Sequence, residues 1–262
     1  MQTVTHHLPN KIPSTYCAVP ENAVQADGSL FLTLPDDFVT EARALGVQTQ
    51  VTASGFGEVI SQITAPEQLR EIPYLPDKPL IRNLLAEIER RSVEENVLLN
   101  VTAPYSLLAQ ISSSKLPAWL LRYPDAVHAA LGPLTDALAD YIGEAFDRGV
   151  KVVSLEDPYA QRGLLGEICY KSFAVKYQVR MLERLVQSPS HGIIHLCPFS
   201  FVPLEEYGLL ELAVLTPEET SYEKVLLNVA KSAKSVILIG HQCPHTRFTE
   251  HLYQLLLTQP FI

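Results

Sequence analysis

Cysteine is scarce in this chain. Four of them, Cys17, Cys169, Cys197 and Cys243, are scattered over 262 residues, too few for a disulfide framework at this length. In a reducing compartment those thiols stay free for metal or for chemistry. Basic charge is also short: Lys and Arg number 20 against 29 Asp and Glu, a formal net charge of −9. No basic block offsets it, which argues against nucleic acid as a partner. Long hydrophobic runs are missing, since the longest apolar stretches are strand-sized and broken by polar residues. "MQTVTHHLPNKIPSTY" has no basic segment leading into an apolar run. A cytoplasmic protein without a membrane partner is therefore expected. There is no low-complexity segment, no short-period repeat, no linker signal and no glycine-rich dinucleotide fingerprint at a strand end.

What is present is a hydrophobic content of 47% with 19% charged residues, enough to bury a full core. One α/β domain over residues 1–262 is expected, its first 35 residues irregular and punctuated by Pro9, Pro13, Pro20 and Pro35. "SLFLTL" at 29–34 can form a strand. From there helix and strand alternate. "FVTEARALG" reads as a helix stopped by Gly46, and "VQTQVT" after it as a strand. "KPLIRNLLAEIERRSVEE" carries Leu80, Leu84, Leu85 and Ile88 at helical spacing, followed by the strand "NVLLNVTAP". "DAVHAALGPLTDALADYIGEAFDRG" leads into "VKVVSLEDP", and "KSFAVKYQVRMLERLVQS" into "HGIIHLC". "GLLELAVL", the helix "SYEKVLLNVAKSA" and "SVILIG" complete the series.

Strands apolar on both faces that alternate with helices predict a parallel sheet covered by helices. At about 250 residues a TIM-type (β/α) barrel is expected, with an open doubly wound sheet as the alternative. Either fold gathers its active site at the C-terminal ends of the strands.

The unusual residues sit at those ends. His195 and Cys197 close one strand, and Cys243 lies just past another in "VILIGHQCPHT". Two thiolates and an imidazole would leave one tetrahedral position open on zinc, the metal this soft donor set favours. Ordinary core residues are the competing reading, because free cysteines are among the most buried side chains. His241 and His245 flank Cys243, and either could replace His195 or support it. Glu211, a carboxylate inside "GLLELAVL", points to the mouth, pairs with a cation, ligates metal, or faces outward at an edge. Of the adjacent Glu156 and Asp157, only one can face inward, and Asp157, followed by Pro158, is the candidate for the mouth, with a turn-forming structural role as the equal alternative. Asp157 and Glu211 are thus the candidate catalytic residues. "NVTAPYSLLAQ" is a strand, a turn and a helix start whose first turn, with Tyr105 and Ser106, either holds an anionic group or, as the preferred reading of the residues alone, is an ordinary strand-to-helix turn.

Taken together these segments resemble the uroporphyrinogen decarboxylase superfamily, and within it the cobalamin-dependent methyltransferases of the methylcobamide:coenzyme M type. The resemblance runs from about Phe38 to the C-terminus. "NVTAPYSLLAQ" stands at the place of the family's Gly-Pro-Phe-Thr-Leu-like turn, and "LLRYPDAVHAALGPLTDALADYIGEAFDRGVKVVSLEDPYA" looks like its long helix and Asp-ending strand. The methyltransferase branch binds zinc through a His-x-Cys pair and one distant Cys, which match His195, Cys197 and Cys243. "GHQCPHTRFTEHLYQLL" resembles its Gly-x-x-Cys stretch and closing helix. Ala103 stands where the family usually has Gly, and the chain is one β/α unit short between Cys197 and Cys243. The resemblance implies an abbreviated barrel, short of eight regular strands. It implies zinc, a corrinoid (methylcobalamin) supplied by a partner protein, and methyl transfer to a thiol such as coenzyme M, or to tetrahydrofolate. Glu211 would be the fourth zinc ligand in the absence of substrate. A zinc-binding relative without turnover and a decarboxylase-like lyase are the alternatives; no arginine-rich N-terminal motif of the true decarboxylases is present.

Overall fold

In the computed structural model the described residues are 29–258, except 36, 38, 52–56, 61–62, 72–74, 76, 113–114, 216–220 and 241–251. The first elements are β1 (Leu32–Leu34), α1 (Thr40–Ala44) and the antiparallel pair β2 (Thr49–Val51) and β3 (Gly57–Val59). Then follow α2 (Pro79–Arg91), β4 (Val97–Thr102), α3 (Pro104–Ser112), α4 (Leu116–Arg122), α5 (Pro124–Asp147) and β5 (Val152–Glu156). Next are α6 (Arg162–Cys169), a π-helical segment Tyr170–Val175, α7 (Lys176–Val186), β6 (Gly192–Leu196) and α8 (Pro198–Glu206). The chain continues through β7 (Leu210–Leu215), α9 (Tyr222–Ser232), β8 (Val236–Gly240) and β9 (Leu252–Leu257).

Proline opens several of these helices. Pro79, Pro124 and Pro198 occupy the first turns of α2, α5 and α8, where a missing N–H costs nothing. The helix α5 ends at Gly149, whose φ of +104° turns the chain into β5 and which a Cβ could not replace without meeting Ser92. Apolar spacing then decides which face each helix buries: Ile81, Leu85 and Ile88 on α2, and Tyr177, Met181, Leu182 and Leu185 on α7.

The main sheet has seven strands in the order β1-β4-β5-β6-β8-β9-β7. The pairs from β1 through β8 are all parallel, each reached through a helical crossover, as expected for a mixed α/β fold of the TIM type. Among the described residues this sheet has fewer than eight regular strands, in line with the abbreviated form that the resemblance implies. Two details correct the expectation of an all-parallel sheet. β9 runs antiparallel to both β8 and β7, and residues 252–257, read above as part of a closing helix, are a strand. Leu252, Tyr253 and Leu255 are all buried, and a short apolar run of this kind has no periodicity that separates strand from helix.

Alternation along the strands divides the core in two. Leu99, Val101, Val153, Leu155, Ile194, Leu196, Leu238 and Leu255 join the larger cluster, with Leu107 and Leu108 of α3, Leu131 and Leu138 of α5 and Leu182 of α7. Leu98, Val152, Ile193, Ile239 and Leu252 point the other way, into a smaller cluster with Tyr222, Val225 and Leu226 of α9. Each fully buried Leu or Ile contributes about 1.5–3 kcal/mol. The exposed ion pairs that tie α7 to α5, such as Arg180–Asp136 at 2.6 Å, contribute about 0–1 kcal/mol each. Burial on the two faces therefore holds the sheet, and it positions the C-terminal strand ends where the polar residues collect.

Candidate active site

β4, β5 and β6 end side by side, and each delivers polar groups to the same rim. After β4 the chain turns through Ala103 into α3. Ala103 donates its amide to the carbonyl of Glu156 at 2.8 Å, which locks the end of β4 to that of β5. The lock brings Ser106 onto Asp157: the Ser106 hydroxyl donates to Asp157 Oδ1 at 2.6 Å and its amide to the same oxygen at 3.2 Å. Ser106 Oγ in turn accepts from the Tyr159 amide at 2.9 Å. Ser106 is fully buried and Asp157 is 6% exposed. Burial pushes the Asp157 carboxyl up to about 7; the two Ser106 bonds oppose that rise and the Glu156 charge adds a little to it.

Two tyrosines stand within electrostatic reach of the same carboxyl. Tyr105 and Tyr170 are buried, and desolvation together with the Asp157 charge holds both phenols well above their ordinary range, with Cys169 acting on Tyr105 and Cys197 on Tyr170. Tyr170 therefore stands within electrostatic reach of both Asp157 and Cys197. Cys197 itself keeps an extended backbone (φ −68°, ψ 161°) as the N-cap of α8. Its carbonyl accepts from the amides of Ser200 and Phe201 at 3.0 Å each, and its Sγ lies 3.6 Å from Ser200 Oγ. The thiol thus sits at the positive end of a helix, where negative charge is favoured.

His195 is the fourth residue of β6, whereas Cys197 follows the strand and leads into the first turn of α8. His195 is fully buried. Its ring meets Tyr222 of α9 edge-on, centroids 6.0 Å apart at 80°. On its other side Ser154, its partner in the β5–β6 register, puts Oγ 3.5 Å from Nδ1. That Oγ also donates to Glu156 Oε1 at 3.2 Å. Glu156 is the second carboxyl of the rim, raised by burial and pulled back by Ser154. Asp157 and Glu156 thus serve opposite faces of the sheet, as the alternation required.

The structure gathers Tyr105, Ser106, Asp157, His195 and Cys197 on neighbouring strand ends. It does not bring Glu211 to them. Glu211 is exposed on β7, three strands away from β6 in the sheet order, roughly 14 Å at ordinary strand spacing. Its register partner is Leu256, and Leu255 pairs with Leu238, which pairs with Ile194. Glu211 is therefore level with the lower part of β6 rather than with Cys197, and its candidacy as a catalytic residue or fourth ligand is withdrawn. Cys243, His241 and His245 lie outside the described residues. Among the described residues no group of three or more His, Cys, Asp or Glu is placed to hold a metal ion; His195 and Cys197 are soft donors whose chemistry suits zinc.

The sequence also hid residues of interest. Glu41 of α1 is 1% exposed, with a carboxyl pushed up to about 7 by burial against hydrogen bonds from Thr102, at the end of β4. Its Oε1 has no hydrogen-bond partner. Nothing in "FVTEARALG" separates it from a surface glutamate. Tyr170 and the Ser154–Glu156 pair were equally silent, although the period-two spacing of Ser154 and Glu156 beside His195 was available once the strands were aligned.

The family model described as uroporphyrinogen decarboxylase (URO-D) matches residues 22–249. This chain belongs to that family. Among curated relatives, uroporphyrinogen decarboxylase of a Nostoc species is 28% identical over 214 residues, covering 77% of this chain and 59% of the relative. The enzyme of the same name from Nostoc punctiforme is 29% identical over 181 residues, 64% of this chain and 50% of the relative. The chain thus spans little more than half the length of these relatives. A solved methyltransferase from Methanosarcina mazei shares the fold, with a TM-score of 0.56 at 16% identity over 83% of this chain and 66% of the other. Among the described residues of this family member no helix is long and apolar enough to cross a membrane.

Proposed function

We propose that this protein transfers a methyl group from a methylated corrinoid, carried by a partner protein, to a small thiol such as coenzyme M or to a related acceptor such as tetrahydrofolate. Zinc held by His195, Cys197 and Cys243 would support the reaction. The observation that carries the reading is that His195 at the end of β6 and Cys197 at the start of α8 lie next to the end of β5, where the buried Asp157 carboxyl is held near 7. When bound, zinc supplies a Lewis acid that keeps an acceptor thiol in its thiolate form.

The remaining work falls to the chain's own side chains. Asp157, held near 7, can take the acceptor's S–H proton at neutral pH, because a base is most effective when its pKa lies close to the working pH. Ser106 occupies Asp157 Oδ1 through its hydroxyl and its amide, so Oδ2 is the oxygen that would take the proton. Tyr105 and Tyr170 stay neutral and keep bulk water from the carboxyl. A bound methylated corrinoid would supply the methyl group to the acceptor sulfur and would keep the electron pair of the broken cobalt–carbon bond. The donor's size requires its protein to dock at the rim formed by the ends of β4, β5 and β6.

The names of the curated relatives favour a second reading, decarboxylation of a tetrapyrrole, in which a protonated Asp157 would supply the proton that replaces carbon dioxide. One experiment separates them. Anaerobic incubation of the wild type with methylcobalamin and a panel of thiols and tetrahydrofolate should convert the corrinoid to its reduced form, and Cys243→Ala should abolish the conversion. Unchanged turnover in Cys243→Ala refutes the zinc role. Carboxylate loss from uroporphyrinogen without methyl transfer establishes the second reading, and neither activity in a zinc-loaded protein indicates a binding relative.

A further inference from the structure

We infer that Ser154 and Glu156 set the tautomer of His195, placing the ring proton on Nδ1 and the lone pair on Nε2. A serine hydroxyl has one proton to give. Ser154 Oγ donates it to Glu156 Oε1 at 3.2 Å, so toward His195 Nδ1, 3.5 Å away, the same oxygen can only accept. The imidazole must then bring the proton to that contact. Ser154 is 2% exposed and His195 0%, which leaves bulk water no access with which to invert the arrangement. The strand register holds the pieces in place, since Ser154 is directly opposite His195 on β5 and β6 and Glu156 follows Ser154 on the same face. Tyr222, edge-on to the ring at 80°, opposes a flip that would exchange the two nitrogens.

The consequence for metal binding rests on the reading of His195 as a zinc ligand. A ligating histidine is oriented by whatever its other nitrogen donates to, and removing that partner costs about 10–100-fold in metal affinity. Ser154 and Glu156 are positioning residues in this sense: they hold Nε2 as the donor nitrogen without touching the metal.

The test uses two readouts. Long-range proton–nitrogen correlation spectra of the full-length, metal-free protein labelled with 15N-histidine, with His195 assigned by its loss in His195→Gln, should show the Nδ1–H tautomer. Glu156→Gln keeps an oxygen to accept from Ser154 and should retain it. Glu156→Ala releases the Ser154 proton toward Nδ1 and should shift the ring to Nε2–H. Chelator competition should show zinc bound about 10–100-fold more weakly by Ser154→Ala and Glu156→Ala than by the wild type or Glu156→Gln. An Nε2–H signal in the wild type overturns the inference, as does an unchanged tautomer in Glu156→Ala. Nδ1–H in a wild type that binds no zinc upholds it and overturns the proposed function instead.

Discussion

Replacing Ser106 by alanine should destabilise the protein more at alkaline than at acid pH. The folded state holds Asp157 near 7, against 3.8 for a free aspartate. Between about pH 4 and 7 the folded protein therefore keeps a proton that the unfolded chain has released, and stability falls as pH rises across that window, by an amount on the order of 4 kcal/mol in full. Ser106 limits the loss, because its hydroxyl and amide both donate to the carboxylate. At pH 5 the carboxyl is protonated and the hydroxyl makes a neutral hydrogen bond, so its removal costs about 1 kcal/mol. At pH 9 the same bond is charge-assisted and costs about 2 kcal/mol or more. The Tyr159 amide also loses its partner, but Tyr159 is 49% exposed, so water can serve that amide at either pH. Urea unfolding followed through Trp119, the sole tryptophan and buried in α4, measures both values. A loss equal at the two pH values, or larger at pH 5, would refute the assignment of Ser106 as the support of an ionisable Asp157.

Three further outcomes are expected. Purified protein should carry close to one zinc per chain by elemental analysis, and Cys197→Ala should lose most of it. Glu41→Gln should stabilise the protein above pH 7 by roughly 1–3 kcal/mol relative to its effect at pH 4, because the wild-type carboxyl, held near 7 by burial, must ionise in the core while the amide does not; equal unfolding midpoints at both pH values would count against it. Gly192→Ala should cost about 1–3 kcal/mol in chemical denaturation, since the added Cβ would fall 2.4 Å from the Phe146 ring at the foot of β6.

Much of this fold was legible because helices with apolar residues at three- and four-residue spacing alternate with strands apolar on both faces, a pattern that α5, β5, α7 and β6 follow closely. Asp157 could be placed at the rim because it ends an apolar strand before a proline. Its bond to Ser106 could not, since the two are separated by 51 positions and only the Ala103–Glu156 backbone contact brings them together. Glu211 misled for a physical reason. "LELAVL" is apolar enough to read as an interior strand, yet it forms the outer strand of the sheet, where Glu211 and Val214 face solvent. The last strand was misread because Leu252–Leu257 has neither the alternation of a half-buried strand nor the length of a helix.

The position of β9 between β8 and β7 orders the assembly of the sheet in time. On a ribosome β7 is made well before Leu252 emerges, and among the described residues its backbone pairs with β9 alone. For that interval a nascent chain presents an apolar edge with unpaired amides and carbonyls, the kind of template on which chains join one another. The exposed carboxylate of Glu211 then acquires a purpose that owes nothing to catalysis. A charge near the start of such an edge discourages pairing with the wrong partner until β9 arrives, so Glu211→Leu should leave the activity of the finished protein intact while lowering its soluble yield.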